Sequence, residues 1–66
     1  MLTVVHIAPN REAAEAAKAR LEEEGLLVVV RAVEEVQRGE RRYYEVLVPQ
    51  GEAEEALAIL NASRQL

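Results

Sequence analysis

Leu26-Leu27-Val28-Val29-Val30-Arg31-Ala32-Val33, then Glu34 to Glu40, then Arg41-Arg42-Tyr43-Tyr44-Glu45-Val46-Leu47-Val48 is the stretch whose reading decides the fold. The first run is apolar almost throughout, the pattern of a strand inside a sheet rather than at a wet edge. Glu34 to Glu40 is polar and charged apart from Val36 and carries a turn signal in Gly39, so it is predicted to connect a β-hairpin. Pro49 bounds the return strand, because a residue without an N–H cannot extend a ladder.

A helix is predicted on each side of this hairpin. Upstream, Arg11 to Glu24 is rich in Ala, Glu, Lys and Leu and holds nothing β-branched. Asn10 is its N-cap candidate and Gly25 fits the position that closes it. Ala13 or Ala14, Ala17 and Leu21 recur at helical spacing, and small residues on that stripe let a helix lie close to a sheet. Downstream, Gln50-Gly51 leads into Glu52 to about Asn61, where Ala53, Ala56, Leu57 and Leu60 form an apolar face and Glu52, Glu54 and Glu55 favour the positive helix end.

Before the first helix, Leu2-Thr3-Val4-Val5-His6-Ile7 is β-branched and apolar on both parities, and reads as a strand ending at Ala8-Pro9. The order is therefore β-α-β-β-α in one domain over residues 1–66, an α+β, ferredoxin-like unit without a convincing last strand. That topology predicts a three-stranded antiparallel sheet of order 1-3-2 with both helices on one face, and leaves an edge of the first strand unpaired. Such an edge is a template for a further strand. The tail, Ala62 to Leu66, is left outside both elements.

If Glu45 and Arg31 reach water, parity assigns Leu2, Val4, His6, Leu27, Val29, Arg31, Tyr43, Glu45 and Leu47 to the face without helices. Six of these nine are apolar or aromatic, and monomers seldom leave such a patch uncovered. Binding is accordingly expected at Leu2, Val4, His6, Leu27, Val29, Arg31, Tyr43 and Leu47, by a second copy of the chain or by another protein.

Composition narrows the function classes. With 66 residues the chain buries about 60% of the surface its unfolded form exposes, so an association interface would help its stability. Eleven of the hydrophobic residues are Ala and none is Phe or Trp, which leaves a thin aliphatic core. The acidic residues are all Glu and the basic ones are seven Arg and one Lys, a usage that points to a GC-rich or heat-adapted bacterial source. A net charge of −4 repels phosphate backbones and argues against nucleic acid. The absence of Cys excludes disulfides and thiolate metal sites and suits a reducing cytoplasm. The apolar start, Leu2 to Ala8, is too short for a membrane span. A cytoplasmic protein with no membrane partner is expected.

Catalysis is not expected. His6 is the sole histidine, and scattered helical glutamates do not give it the three or four converging ligands of a metal site, so it reads as a strand histidine at an interface. Lys18, the sole lysine, would have to carry any Schiff-base chemistry. It lies among glutamates, is expected to be solvated and paired with Glu15 or Glu22, and has no phosphate cradle or Asp for a pyridoxal cofactor. Thr3 and Ser63 have no adjacent base, and Gly25, Gly39 and Gly51 are too dispersed for a phosphate loop. No cofactor is expected. Arg38-Gly39-Glu40-Arg41-Arg42-Tyr43-Tyr44 is locally basic and aromatic, but its flanking glutamates and the opposite directions of the two tyrosines leave it a solvated hairpin. A small-molecule sensor is the second reading, with an amino acid or anion held at the Pro9-Asn10 turn by the free N–H groups of the first helix.

Val4-Val5-His6-Ile7-Ala8-Pro9-Asn10, the helix ending Leu21-Glu22-Glu23-Glu24-Gly25, the valine strand closing on Arg31, and Val46-Leu47-Val48-Pro49 before a Glu/Ala helix together resemble the family of prokaryotic signal-transducing proteins over nearly the whole chain. The resemblance implies a small βαββα domain in signal transduction. Short bacterial chains of this type sometimes carry the label glutamate decarboxylase, which the position of Lys18 speaks against. The aromatic residue often found before the Ala-Pro-Asn turn is replaced here by His6-Ile7.

Overall fold

The computed structural model describes residues 1–35 and 41–63. The elements follow the expected order: β1 (Leu2–Ala8), α1 (Arg11–Glu23), β2 (Val29–Glu35), β3 (Arg41–Pro49), a single 3₁₀ turn (Gln50–Glu52) and α2 (Ala53–Ser63). The three strands form one antiparallel sheet of order β1-β3-β2, a ferredoxin-like α+β arrangement with β3 at its centre. The predicted turn at Gly39 and the tail beyond Ser63 lie outside the described residues.

Helix α1 is defined at both ends by local chemistry. Asn10 is extended, and its Oδ1 accepts the Ala13 N–H at 2.8 Å, satisfying one of the donors that a helix start leaves open. At the other end Gly25 takes φ +85°, a left-handed conformation that costs a residue with a Cβ. This lets the Gly25 N–H donate to the Glu22 carbonyl at 2.9 Å and the Leu26 N–H to the Leu21 carbonyl at 3.2 Å. The pair of bonds is a Schellman motif, and its apolar partners Leu21 and Leu26 are both in the core.

Strand β2 starts at Val29, three residues later than its apolar run predicts, although Leu26 and Val28 are buried. The register explains the delay. Val29 lies opposite Leu47, so Val28 and Leu27 would have to face Val48 and Pro49, where β3 loses its N–H and turns into the 3₁₀ segment. At its other end β2 runs two residues past the prediction, to Glu35, and there Glu34 faces Arg42, a cross-strand pair that opposite charges favour. Glu34 and Arg42 form an exposed ion pair, Oε1 to Nε 3.1 Å.

The core lies between the helices and one face of the sheet. Leu21, Val46 and Val48 are fully buried there, each worth about 1.5–3 kcal/mol of transfer free energy. Ala8, Ala14, Ala17 and Ala56 sit among them, with Val5, Val30, Tyr44, Ile59 and Leu60 packed around. The small residues of both helices make this close approach possible. The amide of Gln50 donates to the Met1 carbonyl at 2.8 Å and ties the end of β3 to the start of the chain.

Candidate functional site

The helix-free face is ordered in rows by the register. Leu2 lies beside Pro49; Val4, Leu47 and Val29 form the next row; Ile7, Glu45 and Arg31 the next; Tyr43 and Val33 follow. Leu47, in the central strand, is only 5% exposed because Val4 and Val29 flank it, and the outer residues remain open, with Ile7 at 51% and Leu27 at 65%. One ion pair interrupts the apolar rows. Arg31 donates from Nε at 2.9 Å, and from Nη2, to Glu45 Oε1, so both charges lie on this face as the parity requires.

One expected member of the face is elsewhere. Val4 faces Leu47 and His6 faces Val46, so Val5 is an extra residue, a β-bulge in β1. Two consecutive residues then point to the helix side, Val5 into the core and His6 into a groove between α1 and α2. Ile7 takes the open-face place next to Glu45 that a regular strand would give to His6. The placement of His6 on the open face is therefore corrected, and Ile7 is the residue that alternation missed. The sequence carries no signal for this, because both parities of β1 are apolar.

Tyr43 and Tyr44 separate as expected, the first on the open face and the second against the core. Pro9 lines a shallow hollow of about 510 Å³ with Ile7, Tyr43, Glu35 and Arg42, at the end of the open face. Asn10 is not part of it. Its side chain serves the helix N-terminus, taking a donor that an anion would have used.

The catalytic candidates are not assembled. Lys18 is half-buried in a hollow with Glu15, Arg11, Val30, Ala32 and Tyr44, and makes no ion pair among the described residues, in place of the solvated pairing expected with Glu15 or Glu22. Its stem lies on α1's flank toward the sheet, which is how an amphipathic lysine covers apolar surface. Among the described residues no three His, Asp or Glu side chains are grouped to hold a metal ion, and no helix is long and apolar enough to cross a membrane.

The groove holding His6 has a volume of about 320 Å³. Val5 and His6 of β1 form its floor, Ala16, Ala17 and Arg20 of α1 one wall, and Leu57, Leu60 and Asn61 of α2 the other.

Comparison of the chain with protein-family models, with curated proteins and with solved structures finds no match to any of them.

Proposed function

We propose that this chain is a small non-catalytic interaction module that docks its helix-free sheet face on a protein surface, in the first instance that of a second copy. The observation that carries the reading is the exposure of Leu2, Val4, Ile7, Leu27 and Val29 on or beside one face of a sheet whose other face is covered by two helices. Covering them removes apolar surface from water, at about 25 cal/mol per Å². The Arg31–Glu45 pair fits a two-fold arrangement, since each copy brings both signs of charge to the same place.

A role in prokaryotic signal transduction, in the cytoplasm, is the setting we propose, on the strength of the strand, cap and helix-stop residues quoted above. Sedimentation over a wide concentration range, together with binding of a hydrophobic dye, tests the reading. Association beyond the 7.4 kDa chain, with dye binding that falls as association rises, is expected. A monomer at high concentration that binds no dye would remove it.

A further inference from the structure

We infer that the groove between α1 and α2 is a binding site for a small aliphatic carboxylate, separate from the docking face and independent of it. Three observations converge on this. The bulge at Val5 turns His6 away from the open face and into the groove, and bulges recur where a side chain is re-aimed at a site. Ala16, Ala17, Leu57 and Leu60 give the walls an apolar part, with Leu57 remaining 45% exposed beside the partly buried Val5 and Leu60.

The third observation is the polar lining, formed by His6, Arg20 and Asn61. Among the described residues Arg20 is the single charged side chain lining the groove, no glutamate lines it, and Arg20 makes no ion pair. His6 and Asn61 add hydrogen-bond donors that need no charge. On a chain of net charge −4 this is a local cationic spot, and it selects an anion with an apolar body. A planar guanidinium matches a carboxylate in a bidentate fork, while the aliphatic part lies along Leu57 and Leu60. The volume of about 320 Å³ is at the small end of ligand pockets, which favours a metabolite-sized occupant.

The test uses isovalerate and its neutral isostere isovaleramide, titrated separately into the isotopically labelled full chain and followed by amide and methyl chemical shifts. Isovalerate is expected to give saturable shifts at Val5, His6, Ala17 and Leu57, with Val29 and Leu47 unmoved, and isovaleramide to bind about tenfold more weakly. Arg20→Gln, at an exposed position, is expected to leave the spectrum folded and to reduce isovalerate to the affinity of the amide. Equal binding of acid and amide, shifts confined to the open face, or no saturable shift would each overturn the assignment. None of these results bears on whether the open face docks.

Discussion

His6 stands opposite Val46 on the helix side of the sheet, and one residue later Ile7 stands opposite Glu45 on the other side. The bulge at Val5 thus keeps apart the open face, with its Arg31–Glu45 pair, and a groove that holds the imidazole. This separation gives His6→Leu a defined outcome. The substitution is expected to leave self-association unchanged, because the new side chain faces the helices. Sedimentation of the variant checks this: stronger association than in the parent would place residue 6 on the docking face.

The two ends of α1 predict separate losses of stability. Gly25→Ala forces a Cβ into φ +85°, and is expected to cost about 1–2 kcal/mol even though nothing lies within 4 Å of the added atom. Asn10→Ala removes the acceptor of the Ala13 N–H and is expected to cost about 1 kcal/mol, whereas Asn10→Asp keeps an acceptor and costs little. For a domain of this size each kcal/mol lowers Tm by roughly 4–8 °C, so calorimetry resolves both.

The core is thin enough that one truncation is severe. Leu21 is fully buried and also closes the Schellman motif, and Leu21→Ala is expected to cost about 2–5 kcal/mol. Against a total of roughly 0.05–0.15 kcal/mol per residue, that is a large part of the stability of 66 residues. Urea titration should show most of the folded baseline lost, and a variant as resistant as the parent would mean that the helix is not held by this side chain.

The Arg31–Glu45 pair contributes little to stability by itself. Arg31 is 60% exposed and Glu45 17%, so solvent screens the attraction, and a double-mutant cycle with Arg31→Met and Glu45→Gln is expected to return about 0.2–1 kcal/mol, falling with added salt. A larger, salt-insensitive coupling would show that the pair is buried in an assembly at the concentration used.

Most of the architecture was legible because it rests on local chemistry. The β-α-β-β-α order, the Asn10 cap, the Gly25 stop and the division of Tyr43 from Tyr44 follow from propensity, capping and period. Two of the departures have tertiary causes. Leu26 to Val28 carry a strand's composition but lie beyond the first pair, Val29 opposite Leu47, where the opposing strand nears its end at Pro49. In β1 both parities are apolar, so alternation holds no mark of the extra residue at Val5, and a regular period puts His6 on the open face instead of the helix side. The groove was invisible for the same reason, as it depends on where the bulge aims one side chain and on α1 and α2 lying side by side.

The central claim is that the open face, and not the groove or the helices, becomes covered. Paramagnetic relaxation of methyl protons by a soluble agent, recorded at low and high protein concentration, addresses it directly. The methyls of Val4, Ile7 and Val29 are predicted to lose their enhancement as concentration rises, while that of Leu57 persists. Equal enhancement of all four at every concentration would contradict the account.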